Sequence, residues 1–171
     1  MADRLVIAGA GLGGLRTIEG LRRRGFKHRI TIGGESELPY DRPPLSKEVL
    51  SGEAAPESVI FRARAVYEEL GVDLVLGTPA VALDLDGSRL LCADEWMPFD
   101  QLVIATGAKP RSLPLLADAT NAFVLRTLDD ARALRAALVE ARRVAIIGAG
   151  FIGGEVASSA RRLGLDVTVI E

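Results

Sequence analysis

Two glycine clusters carry most of the chemistry this sequence could perform. Leu5-Val6-Ile7-Ala8 runs into Gly9-Ala10-Gly11-Leu12-Gly13-Gly14, and Val144-Ala145-Ile146-Ile147 runs into Gly148-Ala149-Gly150-Phe151-Ile152-Gly153. Each apolar run has the length of a short buried strand. Each cluster is followed by apolar residues at helical spacing, Leu15, Ile18 and Leu21 in the first and Val156, Ala160 and Leu163 in the second. A glycine turn between a strand and a helix lets backbone N–H groups approach an anion that the helix N-terminus also favours. Gly9 and Gly11 permit the tight turn and the close approach, and Gly14 lets the helix pack against the strand. Gly148, Gly150 and Gly153 take the corresponding places in the second copy. An acid follows each turn: Glu35 lies 21 residues past Gly14, and Glu171 lies 18 past Gly153. Both distances are near the ~20 residues at which a carboxylate meets ribose hydroxyls. One such fingerprint is weak evidence. Two in matching context predict two dinucleotide sites.

The elements needed to position these turns are legible around them. The first glycines of the clusters are 139 residues apart, too far for a solenoid repeat and suited to two nucleotide-binding units. A second strand follows each helix, Ile30-Thr31-Ile32 and then Val167-Thr168-Val169-Ile170, giving strand–helix–strand twice. Between the units, Pro39 to Lys47 reads as proline-rich and extended, and a helix over Ala63 to Leu70 ends at Gly71. Val72–Leu76, Ala80–Asp84 and Arg89–Cys92 read as closely spaced strands of an antiparallel meander, with turn residues at Gly77-Thr78-Pro79 and Asp86-Gly87. Leu102-Val103-Ile104-Ala105 is a buried strand. Lys109 to Pro114 is the expected linker, and Thr127-Leu128-Asp129-Asp130 opens a helix over Ala131–Glu140 with capping-box spacing, Asp standing for the usual Glu or Gln. The fold class is α/β: a Rossmann-like doubly wound domain over residues 1–110, then the start of a second Rossmann-like domain over 111–171.

Bulk composition narrows the partners. The 171 residues are 49% hydrophobic and 26% charged, with a formal net charge of −2, which argues against nucleic acid as the main partner. The run Arg22, Arg23, Arg24, Lys27, His28, Arg29 reads as a solvated helix end and turn. A single cysteine, Cys92, leaves no internal disulfide and no CxxC redox or metal site, and Leu90-Leu91-Cys92 reads as a packed strand. The lone His28 has no partner in sequence. No apolar run reaches ~18 residues, so no membrane span is expected. A strand begins within four residues of Met1, leaving no room for a signal peptide, so the expected location is the cytoplasm.

Leu38-Pro39-Tyr40-Asp41-Arg42-Pro43-Pro44-Leu45-Ser46-Lys47 closely resembles the segment after the FAD ribose acid in the ferredoxin and rubredoxin reductase family. That family belongs to the FAD-dependent pyridine nucleotide reductases and includes the reductase components of bacterial oxygenases. The resemblance runs from Leu5 to Glu171 and includes Leu102 to Gly107 and Leu125-Arg126-Thr127-Leu128. It implies FAD on the first turn, with Gly9, Gly11 and Gly13 near the pyrophosphate, Glu35 on the ribose, and the Ala80 backbone on the adenine side. Thr106 and Gly107 fall in its second matching stretch and are carried over as cofactor contacts. Arg42, Lys47 and Arg126 would neutralise or orient the cofactor. Lys47 would lie by the isoalloxazine and pair with Glu155, since a cation there offsets the charge of a reduced flavin and itself needs a partner. NADH would occupy the second turn, with Glu171 on its ribose.

The same resemblance implies hydride from NADH to FAD and single electrons to an iron–sulfur protein, a [2Fe–2S] ferredoxin or a rubredoxin. No side chain need act as a general acid or base, so no catalytic residue and no metal site are named. A thiol-dependent NADH oxidase or disulfide reductase on the same scaffold needs a redox cysteine after the ribose acid, where this chain has Pro43, Pro44 and Ser46. A nucleotide-binding module without turnover is the third reading. The chain departs from the family's pattern at Gly33-Gly34, where one apolar residue and one glycine are usual, and in a Glu35–Pro39 loop one residue shorter. It matches the front part of such an enzyme.

Overall fold

A computed structural model describes residues 4–111 and 113–171. The chain runs through β1 (Arg4–Ala8), α1 (Leu12–Arg23) and β2 (Arg29–Gly33), then a 3-10 turn at Pro43–Ser46 and a one-turn helix α2 (Glu48–Ser51). It continues through α3 (Arg64–Glu69), β3 (Val72–Val75), β4 (Ala80–Asp84), β5 (Arg89–Cys92), β6 (Glu95–Pro98) and β7 (Gln101–Ile104). Last come α4 (Leu128–Glu140), β8 (Arg143–Ile147), α5 (Phe151–Arg162) and β9 (Asp166–Ile170). Two compact units result: residues 1–40 with 60–108, and residues 41–59 with 109–171. No helix among the described residues is long and apolar enough to cross a membrane.

The first unit is built on a four-stranded sheet in the order β3-β2-β1-β7, parallel throughout. Leu5, Val6, Ile7 and Ala8 are all buried because β1 is covered on both faces. Leu5 and Ile7 pack with Leu15 and Ile18 of α1 and with Tyr67 of α3. Val6 and Ala8 face the other way, against Leu90, Cys92 and Phe99. Those residues belong to or follow the antiparallel meander β4-β5-β6. A helix, a parallel sheet and a meander therefore form three layers.

This arrangement corrects the expected strand grouping. Val72–Val75 is the edge of the parallel sheet, in register with Ile30–Gly33, and not a meander strand. It follows α3, and a helix between strands is the crossover a parallel pairing requires. The third meander strand is Glu95–Pro98, pairing Leu91 with Trp96; its terminal proline and leading charge hid it. The basic run also differs from a freely solvated end. The Arg22 guanidinium donates to the carbonyls of Leu70 at 2.7 Å, Phe26 at 2.6 Å and Gly71 at 3.0 Å, tying the end of α1 to the end of α3.

In the second unit, β8 and β9 pair in parallel and α5 packs on them. Leu50, Leu134, Leu138, Val156 and Leu165 form the core. Helix α4 starts at Leu128, three residues before the sequence expectation, because the capping box is complete. Thr127 Oγ1 accepts from the Asp130 N–H at 3.1 Å, and the Asp130 carboxylate accepts from the Thr127 N–H at 2.8 Å. Aspartate thus serves where Glu or Gln is usual. Pro39 to Lys47 is not extended throughout: Tyr40 bridges Ile60, but Pro43–Ser46 turns as a 3-10 helix. Prolines at the opening of a helical turn lose nothing by lacking an N–H. Of the expected linker, Ser112 lies outside the described residues, and residues 109–111 and 113 carry no regular structure.

Candidate functional site

The first glycine turn joins β1 to α1. Gly9 has φ +124°, a conformation side chains disfavour, and its N–H donates to the Gly33 carbonyl at 2.7 Å. A Cβ there would stand 2.1 Å from the Ala105 carbonyl oxygen and 2.9 Å from the Thr106 nitrogen, so the turn is wedged against the end of β7. A Cβ on Gly14 would stand 2.2 Å from the Gly9 carbonyl oxygen, so the close approach of the helix to the turn leaves no room for a side chain there. Gly11 is different. It is the N-cap of α1, has no side-chain cap, and a Cβ there would meet nothing within 4 Å. Gly13 would meet only the Ala105 Cβ, at 3.7 Å. The first turn of α1 holds no acidic residue. The helix thus opens with uncapped amides on an unfilled side of the turn, and that donor set suits a pyrophosphate.

Glu35 follows β2. Its carboxylate accepts from the Tyr40 hydroxyl at 2.5 Å. Its carbonyl accepts from the Gly77 N–H at 3.0 Å, and Gly34 accepts from the Thr78 N–H at 3.2 Å, which draws the start of β4, and Ala80 with it, toward the acid. The departure at Gly33-Gly34 has a steric reason: a Cβ on Gly34 would stand 2.5 Å from the Ala10 nitrogen. Gly107, just past β7, has φ +71°. The unit therefore gathers Gly9, Gly11, Gly13, Gly14, Thr106, Glu35 and Ala80 at the carboxyl ends of its parallel strands, the end where open α/β sheets bind ligands.

The second turn repeats the design. Gly148 has φ +105° and donates to Ile170 at 2.8 Å. Gly150 caps α5 with no side-chain cap and nothing within 4 Å of an added Cβ. A Cβ on Gly153 would stand 2.0 Å from the Gly148 carbonyl oxygen. Glu171 differs from Glu35 in its partner, accepting from the Ala149 N–H at 2.5 Å. An open hollow of about 530 Å³ is lined by Ala149, Gly150, Phe151, Gly154, Glu155 and Ser158. Phe151 is 94% exposed at its edge.

The same unit holds the remaining candidates. Arg42 donates to the Arg126 carbonyl at 2.6 Å, and the Arg126 N–H donates to Asp130 at 2.9 Å, so the two arginines are drawn together. Lys47 Nζ lies 3.0 Å from Glu155 Oε1. Ser46 Oγ donates to Glu155 Oε2 at 2.5 Å. The hydroxyl first, and the Lys47 ammonium second, hold the Glu155 carboxyl below the usual glutamate range. Sequence reasoning missed Ser46, Ser159 and the role of Tyr40. Ser46 and Ser159 are the buried polar residues among those described, and burial is not visible in a string of letters. The i,i+4 spacing of Glu155 and Ser159 was the available signal. Cys92 is buried, and burial pushes its thiol above the ordinary range. No cluster of potential metal ligands occurs among the described residues.

Comparison with known proteins gives concordant matches. The family described as "Pyridine nucleotide-disulphide oxidoreductase" matches residues 3–171. The ferredoxin–NAD(+) reductase component of the anthranilate 1,2-dioxygenase system of Burkholderia cepacia is 46% identical, over 99% of this chain and 43% of its own. Putidaredoxin reductase of Pseudomonas putida is 37% identical, over 99% of this chain and 42% of its own. The chain thus spans about two fifths of the length of these relatives. Among solved structures, the covalent putidaredoxin reductase–putidaredoxin complex matches with a TM-score of 0.92 and 37% identity, over 99% of this chain and 42% of that one. The ferredoxin reductase of the CYP199A2 system from Rhodopseudomonas palustris matches with a TM-score of 0.92 and 38% identity, over 98% of this chain and 42% of its own.

Proposed function

The chain belongs to the pyridine nucleotide-disulphide oxidoreductase family, and from that premise we propose that it supplies the dinucleotide-binding front of an FAD-dependent NADH:ferredoxin reductase of the kind that serves an oxygenase. Residues 1–110 are assigned to FAD and 111–171 to NADH, the acceptor is a [2Fe–2S] ferredoxin or a rubredoxin, and the location is the cytoplasm. FAD, when bound, would supply the redox chemistry, namely uptake of a hydride and release of single electrons.

The residues do the holding. In the first unit, the amides at Gly11 and Gly13 would receive the FAD pyrophosphate, Glu35 the ribose, and the Ala80 backbone the adenine side, with Thr106 and Gly107 alongside. Arg42, Arg126 and Lys47 would set positive charge against the flavin. Gly148, Gly150 and Gly153 would cradle the NADH pyrophosphate, with Glu171 on its ribose and Glu155 keeping the Lys47 ammonium in place. The observation that carries the reading is the Lys47–Glu155 ion pair at 3.0 Å on the proline-rich segment, in a chain whose sole thiol is buried. A lysine there offers a fixed charge and cannot form a disulfide. The test is flavin extraction followed by NADH-driven reduction of a panel of [2Fe–2S] ferredoxins and rubredoxins. The expected cofactor is FAD, because FMN has no adenosine for Glu35 to hold. Recovery of FMN, or a purified protein that binds neither dinucleotide, would sink the assignment.

A further inference from the structure

The relation between Ser46, Glu155 and Lys47 has a direction. The two oxygens of Glu155 are divided: Oε2 receives the Ser46 hydroxyl at 2.5 Å and Oε1 faces Lys47 Nζ at 3.0 Å. Of the three residues, Ser46 is the fixed one, at 2% exposure. Its carbonyl accepts from Ser159 Oγ at 2.7 Å. Helix α5 therefore grips Ser46 at two points one turn apart, through the Glu155 carboxylate and the Ser159 hydroxyl. Lys47 and Glu155 have side chains 42% and 29% exposed. A pair that open to water gains little from attraction alone, and holding two long side chains in one geometry costs entropy. A buried donor takes one of the two carboxylate oxygens, which leaves the other to face the ammonium. The ammonium then rests on the other oxygen and on the Pro43 carbonyl at 3.3 Å.

We propose that Ser46 is a positioning residue whose buried hydroxyl aims the Glu155 carboxylate and, through it, fixes the Lys47 ammonium. This deepens the proposed function and rests on the reading of Lys47 as the cation beside the flavin. The Ser46 hydroxyl has two acceptors in reach, the Pro43 carbonyl of its own turn at 3.4 Å and Glu155 Oε2 at 2.5 Å, and the shorter bond is the one to the other helix.

The test uses two readouts. The first needs no cofactor: carbon-detected NMR titration of the Glu155 carboxyl, with the Lys47 side-chain resonances followed in parallel. Ser46→Ala should move the Glu155 midpoint upward and shift the Lys47 signals, with amide positions far from α5 unchanged. Ser46→Cys fills the site and donates weakly, so it should give a smaller upward move; it also supplies the measurement if Ser46→Ala does not fold. An unmoved Glu155 midpoint in whichever variant folds would overturn the proposal. The second readout is the rate of flavin reduction by NADH in the FAD-loaded protein, expected to fall about tenfold in Ser46→Ala while the NADH dissociation constant holds. If the titration moves and the flavin rate does not, the positioning inference stands and the placing of Lys47 beside the flavin falls. If neither moves, the positioning inference falls by itself.

Discussion

Gly11→Ala and Gly14→Ala lie three residues apart in one turn and should fail in opposite ways. At Gly14 the new methyl would stand 2.2 Å from the Gly9 carbonyl oxygen and 2.8 Å from the Ile32 Cδ1. The nearer atom is backbone, so α1 must lift off β1 by roughly 1 Å to restore van der Waals contact. Overpacking of this kind costs about 3 kcal/mol, and alanine returns about 1 kcal/mol through its helix propensity. The net loss of about 2 kcal/mol lowers the melting temperature by roughly 4–8 °C in a chain of this size. At Gly11 the backbone has φ −98° and ψ −167°, which alanine adopts freely, and the methyl meets nothing within 4 Å. Stability should fall by less than about 1 kcal/mol, the difference between glycine and alanine at an N-cap. The methyl instead stands on the open side of the turn. Losing one charge-assisted bond from amide to phosphate costs about 1.5–3 kcal/mol, so FAD affinity should drop roughly tenfold to a hundredfold. Thermal unfolding by circular dichroism and flavin titration on both variants decide the matter. A Gly14→Ala protein as stable as its parent, or a Gly11→Ala protein that keeps full FAD affinity, would refute the division of labour.

Three further outcomes follow from single residues. Cys92→Ser should leave NADH-driven acceptor reduction within about twofold and cost about 1 kcal/mol, and because burial raises the Cys92 thiol above its ordinary range, alkylation of the native protein should be slow and should accelerate on unfolding. Tyr67 is fully buried with no hydrogen-bond partner for its hydroxyl among the described residues, so Tyr67→Phe should be neutral or stabilising by up to about 2 kcal/mol, as urea melts will show. Burial pushes the Tyr67 phenol up to about 12. A raised folded-state value means that its contribution is intact below the unfolded value near 10 and is lost as pH rises toward 12, so the parent should weaken across that window more than Tyr67→Phe does. Glu171 should favour NADH over NADPH by repelling a 2′-phosphate, and Glu171→Gln should narrow the ratio of the two dissociation constants.

The glycine turns were legible because their constraint is local. Gly9, Gly14, Gly148 and Gly153 answer to atoms within five residues or to the strand next door, and the pattern of small residues records that directly. The capping box at Thr127 was legible for the same reason, although the helix starts at the box and not at the first apolar residue after it. Val72–Val75 was harder. Its four residues read equally as meander or parallel edge, and only pairing with Ile30–Gly33, some 40 residues earlier, decides between them. Ser46 was harder still. A serine between leucine and lysine reads as a polar loop residue, and nothing in its neighbours announces a partner 109 residues away.

The contrast between residues 47 and 92 bears on what the scaffold is used for. A thiol acts as a nucleophile only when it is exposed and its pKa is lowered by a cation or a helix N-terminus. Cys92 has the opposite setting: it lies in β5 against Val6, Ala8 and Phe99, and burial raises its pKa. The cation that could have lowered a thiol's pKa, Lys47, is instead held by Glu155, whose carboxyl is kept ionised to unusually low pH by Ser46 and by Lys47 itself. Neither member of that pair carries a thiol, and the two close on each other at 3.0 Å. A disulfide-exchanging centre needs a group that changes covalent state; a one-electron relay needs an environment that does not change while the cofactor does. The residues at positions 46, 47 and 155 offer no group for disulfide exchange, and thiol chemistry on this segment would take a new cysteine and the removal of the carboxylate paired with Lys47.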